Sequence, residues 1–412
     1  MRRYESYKDS GVEWLGEVPS YWEISSLGKI LLSVSEKNRP DLPLLSITRE
    51  LGVIERDTED QDSNHNFIPD DLSNYKILKK GQFGVNKMKA WQGSYGVSDF
   101  TGIVSPAYYI FDFIKSINPQ FFHWAIRSKI YVSFFGSASD GVRIGQWDLS
   151  KSRMKSIPFI IPSNDEQQKI AQFLDDKTVK IDQAVDLAEK QIALLKEHKQ
   201  ILIQNAVTRG LNPDVPLKDS GVEWIGQVPE HWDVQRSKFI FKKIERKVNE
   251  EDQIVTCFRD GQVTLRANRR TEGFTNALKE HGYQGIRKGD LVIHAMDAFA
   301  GAIGISDSDG KATPVYSVCL PHDKQKIDVY FYAYYLRNLA LSGFISSLAK
   351  GIRERSTDFR YSDFAELLLP IPPYLEQQKI ADYLDKQTSK IDRAIALKTA
   401  HIEKLKEYKN VL

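Results

Sequence analysis

The residues of this chain best suited to chemistry are clustered cationic and amide side chains. One cluster lies in the segment NKMKAWQG and supplies Lys87, Lys89 and Gln92. The remaining members are arginines in glycine-rich or turn-rich stretches: Arg143, Arg266, Arg269, Arg270, Arg353 and Arg355. Lysine and arginine neutralise phosphates or donate to guanine edges, whereas amides pair with adenine. These nine residues are predicted to contact DNA, and the alternative for each is an ordinary solvated surface residue.

Three segments partly resemble catalytic sequence motifs, but none is a specific match. Ile371 precedes Pro372-Pro373-Tyr374, where an amino-methyltransferase needs a polar residue that accepts a hydrogen bond from the target amine. The segment GISDSDGK at 304–311 has five residues between its glycines and is followed by alanine, so it fails as a phosphate loop. A nuclease-like pattern from Pro213 to Lys247 is too loose to be specific. We therefore expect no catalysis by this chain.

Composition indicates a folded protein of the reducing cytoplasm. The chain has 412 residues, of which 41% are hydrophobic, a net charge of +2 and two cysteines, Cys257 and Cys319. Two cysteines cannot define a disulfide scaffold, and no leader or membrane-length apolar run is visible. The eight histidines lack metal-site spacing and there is no CxxC, so we expect no metal and no cofactor.

The chain consists of two related halves. KDSGVEWLGEVP at 8–19 returns as KDSGVEWIGQVP at 218–229, and EQQKIAQFLD at 166–175 returns as EQQKIADYLD at 376–385. The two offsets, 218 − 8 and 376 − 166, are both 210. The segments between these matches resemble each other only faintly. A duplicated scaffold that carries two different working surfaces would have this pattern.

Each half ends in a predicted long helix. A capping-box pattern starts at Ser163, and apolar residues then recur at heptad spacing as far as a glycine at 210. The stripe is predicted to pair the two helices, antiparallel, through Leu174, Ile181, Val185, Ile192, Leu195, Leu202, Leu384, Ile391, Ile395, Ile402 and Leu405. The alternative is that each stripe packs onto its own domain. The second helix stops at Leu412 while the first continues to Gly210, so the end of the coiled coil is expected to be short.

The segments before the helices mix short β-like runs with turns. Strands are predicted at Gln82–Lys87, Ile103–Phe111 and Asp290–His294, and aromatic-rich helices at Asn118–Ile130 and Asp328–Leu341. The expected fold class is mixed α/β, with two pseudo-symmetric domains separated by the long antiparallel coiled coil. The predicted boundaries are 1–157 and 213–367 for the domains, and 158–212 and 368–412 for the helical segments.

The repeated ends, NKMKAWQG, GIVSPAYYIF and AVTRGLNPDVPLKDSGVEWIGQVPEHW together resemble the specificity subunits of type I restriction-modification systems. The resemblance covers essentially the whole chain. It implies two target-recognition domains that read a bipartite site in double-stranded DNA, and helices that dock two methyltransferase subunits and, through them, restriction subunits. AdoMet, ATP and magnesium would belong to those partners. Two other interpretations stay open: the recognition arm of a different methyltransferase-nuclease assembly, and a coiled-coil scaffold that binds protein.

Overall fold

The structure is a computed structural model that describes residues 4–13, 15–57, 68–143, 146–269, 281–348 and 358–412, with only the backbone at 142, 143 and 146. The chain divides into two compact units. The first unit contains residues 1–183 and 409–412, and the second contains residues 184–408. The long helix α5, Asn164–Arg209, contributes to both.

The first unit is built from short strands and four short helices before α5. Its strands are β1 (Tyr7–Asp9), β2 (Glu17–Pro19), β3 (Glu23–Ser26), β4 (Leu31–Val34), β5 (Leu45–Thr48), β6 (Gly52–Glu55), β7 (Lys76–Leu78), β8 (Phe83–Val85), β9 (Tyr95–Val97), β10 (Gly102–Val104), β11 (Tyr109–Phe113), β12 (Ser139–Arg143), β13 (Gln146–Leu149) and β14 (Pro158–Ile161). Its short helices are α1 (Leu27–Ile30), α2 (Pro119–Ile126), α3 (Lys129–Ser137) and α4 (Lys151–Ser156).

The second unit follows the same plan after the end of α5. Its strands are β15 (Leu217–Asp219), β16 (Gln227–Pro229), β17 (Asp233–Arg236), β18 (Phe241–Lys243), β19 (Val255–Cys257), β20 (Val263–Leu265), β21 (Gln284–Ile286), β22 (Leu291–His294), β23 (Ile303–Ile305), β24 (Gly310–Ala312), β25 (Tyr316–Pro321) and β26 (Leu368–Ile371). Its helices are α6 (Ser237–Ile240), α7 (Val329–Leu341), α8 (Phe344–Leu348), α9 (Tyr361–Glu366) and α10 (Tyr374–Lys409).

The two units share one sheet topology. The first has an antiparallel sheet in the order β4-β11-β8-β9, and the second has the order β18-β25-β22-β23. The register is equivalent, with Ile110 opposite Gly84 in the first sheet and Val318 opposite Val292 in the second. Aromatic side chains fill both cores, since Phe83, Phe111 and Phe122 are fully buried in the first unit, as are Phe331 and Tyr332 in the second. The predicted pseudo-symmetric α/β fold class is confirmed.

The long helices pair antiparallel in the second unit. Lys199 Nζ lies 2.7 Å from the Asp392 carboxylate, and Lys406 Nζ lies 4.0 Å from Glu189. Earlier residues of α5 therefore meet later residues of α10, as an antiparallel coiled coil requires. All eleven heptad residues named above are buried or partly buried.

Three element boundaries differ from the sequence prediction. The predicted strand Ile103–Phe111 is two strands, β10 and β11, because a turn at 105–108 contains Pro106, which cannot donate to a ladder. The predicted helix Asn118–Ile130 is two helices, α2 and α3, that meet at Arg127 and Ser128. Residues 158–161 and 368–371, placed in the helical segments by the sequence, form β14 and β26, which pair with β3 and β17.

Candidate nucleic-acid interface

A tryptophan and a glutamate join each domain to its long helix. In the first unit, Trp22 Nε1 donates to Glu166 Oε2 at 3.0 Å. In the second, Trp232 Nε1 donates to Glu376 Oε2 at 3.2 Å. The contact repeats at an offset of 210, so the two most similar segments of each half meet at this glutamate. The capping-box interpretation did not predict this role for the glutamate.

A buried glutamine next to each glutamate makes a second connection. Gln167 accepts from the Asn118 backbone N–H at 2.8 Å and donates to the Pro162 carbonyl at 2.8 Å. Gln377 repeats both bonds with Asp328 and Pro372. Both glutamine side chains are fully buried, where an unsatisfied amide would be costly. These bonds give a physical reason for the retention of the EQQK segment in both halves.

The helices α2 and α7 are held by the long helices in equivalent ways. Trp124 Nε1 donates to Asp175 Oδ1 at 2.7 Å, and Tyr334 Oη donates to Asp385 Oδ1 at 2.7 Å. The aromatic side chain changes between the units while the carboxylate and the bond remain. The scaffold therefore fixes one further helix in each unit at the same place.

The predicted cationic cluster of the first unit lies on a surface loop, residues 86–93. Lys87 Nζ lies 2.9 Å from Asp148, an ion pair that raises the pKa of Lys87. Lys89 is exposed at the start of a 3-10 helix, and Gln92 is partly buried at its end. Gly93 ends the turn with φ of 96°, a left-handed conformation that favours glycine. The structure thus brings three of the four predicted residues of this unit onto one loop.

The equivalent loop of the second unit, residues 294–301, carries the opposite charge. It has the same 3-10 helix, Ala298–Ala300, and the same left-handed glycine, Gly301 with φ of 92°. Aligned on these glycines, at an offset of 208, Asp297 stands at the position of Lys89. Its carboxylate accepts from Arg259 Nη2 at 2.8 Å and Nε at 3.2 Å.

Three arginines line an open cleft of about 560 Å³ beside this loop: Arg259, Arg266 and Arg269. Arg269 Nη1 donates to Asp260 at 2.6 Å, and its guanidinium lies over the Phe258 ring at 4.3 Å from the centroid. Arg266 Nε lies 3.4 Å from Thr256 Oγ1. Carboxylates hold Arg259 and Arg269, and a hydroxyl contacts Arg266, while all three side chains line the open cleft. Such a surface suits DNA better than a small molecule because it is open and cationic.

The other predicted DNA-contacting residues cannot be placed in this surface. The backbone of Arg143 belongs to β12, and its side chain is not among those that the structure describes. Arg270, Arg353 and Arg355 lie outside the described residues. All nine predicted contacts remain predictions.

Sequence reasoning missed four arginines that the structure brings to these surfaces. Arg49 and Arg127 line an open cleft of about 420 Å³ with Gln92 in the first unit. Arg259 and Arg337 are their equivalents at an offset of 210 in the second. A search of the divergent segments for residues identical at this offset would have found both pairs.

Comparison with known proteins identifies this arrangement. The family model of the type I restriction modification DNA specificity domain matches residues 59–197 and 229–407. The chain belongs to this family. Each half of the specificity chain contains one match, in agreement with the duplicated scaffold. The resemblance read from the sequence motifs is confirmed.

Individual relatives match over nearly the whole chain. The Methanocaldococcus jannaschii protein assigned as the specificity subunit of the type I restriction enzyme MjaX is 21% identical over 433 residues, which cover 96% of this chain and 92% of the relative. The HsdS subunit from Thermoanaerobacter tengcongensis has a TM-score of 0.59 at 15% identity, with 96% of each chain covered. A chain from a structure of assembly and conformational transition in a type I R-M system has a TM-score of 0.64 at 15% identity, with 96% of this chain and 97% of that chain covered. At these identities the structural matches establish the fold alone.

Two further findings concern cysteines and membranes. Cys257 and Cys319 are buried and free, and burial raises the pKa of the Cys319 thiol to about 12. Within the described ranges, the helices lack the long apolar stretch that would be needed to cross a bilayer.

Proposed function

We propose that this chain reads a bipartite site in double-stranded DNA, one half-site per α/β domain, and docks two methyltransferase subunits on its long helices. Restriction subunits would join through the methyltransferases. The observation that carries the proposal is the duplicated scaffold. Its two copies present equivalent loops, residues 86–93 and 294–301, that have opposite charge. Equivalent scaffolds place the two loops alike, and different side chains would then allow two unlike half-sites. Membership of the specificity family agrees with this function.

The chain itself would supply recognition without catalysis. The segments considered above do not match the methyltransferase and phosphate-loop motifs, and the nuclease-like pattern is too loose to be specific. Catalytic residues, and binding of AdoMet, ATP and magnesium, would belong to the partner subunits. The expected compartment is the cytoplasm, where those partners and the host DNA are found.

Exposed leucines on the long helices support partner docking. On α5, Leu187, Leu194 and Ile201 recur every seven residues and are exposed, away from the heptad stripe. On α10, Leu397 lies 210 residues after Leu187 and is also exposed. An apolar stripe on a helix is commonly covered by a partner. An exposed leucine at the equivalent position of both helices, Leu187 and Leu397, suits two copies of the same subunit.

The first test is methylation of host DNA. The chain is expressed with its methyltransferase subunits, and modified bases are mapped by genome sequencing. We expect a split motif whose two specified parts are separated by unread pairs, and no methylation by the purified chain alone. Methylation by the chain alone, or a continuous motif, would contradict the proposal. A complex with methyltransferase that does not bind DNA would favour the protein-binding scaffold instead.

The second test changes the helices as a pair. One heptad inserted after Leu195 and another after Leu405, the equivalent residue, lengthens both helices by about 10 Å while their seam stays in register. Since B-DNA rises about 3.4 Å per base pair, the accepted gap should move by up to about three pairs, or binding should fail. A heptad of the same composition inserted after Leu412 is the control. An unchanged gap with full activity would exclude the helices as the spacer.

A further inference from the structure

Each unit contains a β-hairpin with a three-residue tip that begins with an arginine and an acidic residue. In the first unit β5 and β6 pair as far as Thr48 and Gly52, which leaves the first tip, residues 49–51. In the second, the Phe258 backbone N–H donates to the Gln262 carbonyl at 2.9 Å, which leaves the second tip, residues 259–261. The tips read Arg-Glu-Leu and Arg-Asp-Gly, at an offset of 210.

A second arginine in each unit donates to the backbone of its tip. Arg127 Nη2 donates to the carbonyls of Arg49 and Glu50, both at 2.8 Å, and Arg127 Nη1 donates to the Tyr95 carbonyl at 2.7 Å. Arg337 Nη1 donates to the carbonyls of Arg259 at 3.3 Å and Gly301 at 2.5 Å. Arg127 caps the end of α2, and Arg337 lies in the equivalent helix α7. Each one ties a hairpin tip to the neighbouring strand or loop.

The arrangement is unfavourable for arginine by itself, so its presence in both units needs an explanation. Burial lowers the pKa of both Arg127 and Arg337, since it removes a cation from water. Nearby residues of the chain have changed: His123 in the first unit stands where the second has Ala333, and Lys129 where the second has Leu339. The arginine and its tip carbonyls remained while the surroundings changed. This pattern indicates a constraint on the position of the tip.

The tip arginines are accessible. The side chain of Arg49 is 66% exposed and that of Arg259 is 67% exposed. Both line the open clefts described above, beside the loops with Lys89 and Asp297. A tip held by its carbonyls has its backbone fixed while its leading cation stays in solvent. A preorganised cation of this kind contacts DNA at a lower entropic cost than one on a mobile loop.

We propose that Arg49 and Arg259 contact DNA, each in the half-site of its own domain, and that Arg127 and Arg337 are positioning residues that hold the two tips for this contact. The inference rests on the proposed function, and it adds the residues that act equivalently in the two half-sites. Contact with a phosphate or with a guanine edge would use the same guanidinium donors. The salt dependence of binding and the selected base sequence distinguish a phosphate contact from a guanine contact.

The experiment uses the full complex with its methyltransferase subunits and DNA libraries randomised in one half-site at a time. The variants are Arg49→Ala, Arg127→Met and the double variant in the first unit, with Arg259→Ala, Arg337→Met and their double variant in the second. Arg39→Ala and Arg236→Ala are matched controls, because both side chains are 53% exposed and pair with a carboxylate elsewhere in their units. Thermal denaturation of every variant monitors folding.

Each single variant should weaken binding roughly tenfold, and only through the half-site of its own unit. A phosphate contact would lower the salt slope by about one, whereas a guanine contact would relax one base position. The double variants should lose no more than the single variants, because the buried arginine acts through the tip. The DNA affinity of Arg127→Lys should lie between those of the unmodified complex and Arg127→Met, since one ammonium cannot reproduce the two-pronged hydrogen bonding of a guanidinium.

Unchanged affinity and motif in both Arg49→Ala and Arg259→Ala would overturn the inference, as would an equal loss at both half-sites from one variant. These two variants decide the matter even if Arg127→Met or Arg337→Met fails to fold. If the unmodified complex selects no split motif, the proposed function itself fails. If it selects one and the tip variants leave it unchanged, only the tip inference fails.

Discussion

The loops at 86–93 and 294–301 have the same backbone turn and different chemistry. Both contain a 3-10 turn that ends in a left-handed glycine, and both expose a methionine to a similar degree, Met88 at 54% and Met296 at 53%. Where the first has Lys89, the second has Asp297. The shared elements belong to the duplicated scaffold, and the charge belongs to the individual unit.

The difference indicates how one scaffold could serve two DNA sequences. In the second unit Asp297 holds Arg259 at 2.8 Å, which would orient the remaining guanidinium donors for hydrogen bonds to a base edge. In the first unit Arg49 lies 3.8 Å from Glu50, a looser pair in a cleft that Lys129 also lines, which would suit phosphates. Asp297 thus gives the tip arginine of the second unit an orienting carboxylate, whereas the first unit has Lys89 at the equivalent loop position.

The largest expected effect concerns the buried apolar seam of the long helices. Ile181 and Ile391 are equivalent and buried in the long helices, at 6% and 9% exposure. Aspartate at either position would bury an unpaired charge, so we expect a loss of about 3 kcal/mol or more in urea denaturation. Leu187→Asp and Leu397→Asp, on exposed positions of the same helices, should stay within about 0.5 kcal/mol. Similar losses in all four variants would place the seam elsewhere.

A charge exchange tests the loops themselves. Asp297→Lys removes the carboxylate that holds Arg259, so the second half-site should lose discrimination of about 1–3 kcal/mol at one base position. Lys89→Asp should instead lower affinity evenly across sequences and reduce the salt slope by about one. Asp297→Asn, which keeps an acceptor, should have a smaller effect. Selection from randomised DNA measures all three, and identical responses of the two loops would remove the distinction between them.

A partly buried histidine of the first unit, His123, has alanine, Ala333, at the equivalent position of the second unit. Burial lowers the pKa of His123 from 6.5 to about 4, and its Nδ1 accepts from the Val97 backbone N–H at 3.2 Å. The unfolded chain then binds more protons, so stability that is present above pH 6.5 is lost as the pH falls towards 4, by about 2 kcal/mol at pH 5.

The matched variant is His123→Gln, which keeps a polar group and does not titrate. Denaturation at pH 7.5 and pH 5 should show a smaller pH-dependent loss in this variant than in the unmodified chain. Burial also lowers the pKa of His294. Because His294 is present in the variant and in the unmodified chain, its contribution to the pH-dependent loss cancels in the comparison. Equal losses would mean that His123 does not titrate in this range.

The smallest effect concerns the exposed ion pair between the long helices. Lys199 and Asp392 lie 2.7 Å apart with side chains 29% and 57% exposed. A double-mutant cycle of Lys199→Met and Asp392→Asn should give a coupling below about 1 kcal/mol, because solvent screens the pair. A much larger coupling would assign the antiparallel register to charge pairing rather than to the apolar seam.

The sequence by itself determined the duplication, the long helices and the fold class. Heptad spacing and the repeated KDSGVEW and EQQK segments are local patterns, and periodicity reports which face of a helix is apolar without knowledge of its partner. The clusters at Lys87–Gln92 and Arg266–Arg269 were also visible, because their members are neighbours in the chain.

The tertiary structure alone decided which distant residues meet. Arg127 reaches the carbonyls of Arg49 and Glu50, some 78 residues earlier, and no local pattern encodes a contact of that separation. The long predicted strand from Ile103 became two because Pro106 interrupts the ladder, and residues 158–161 became a strand because β3 was available as a partner. Pairing energy depends on the partner that is brought alongside, so only the folded chain could assign these residues.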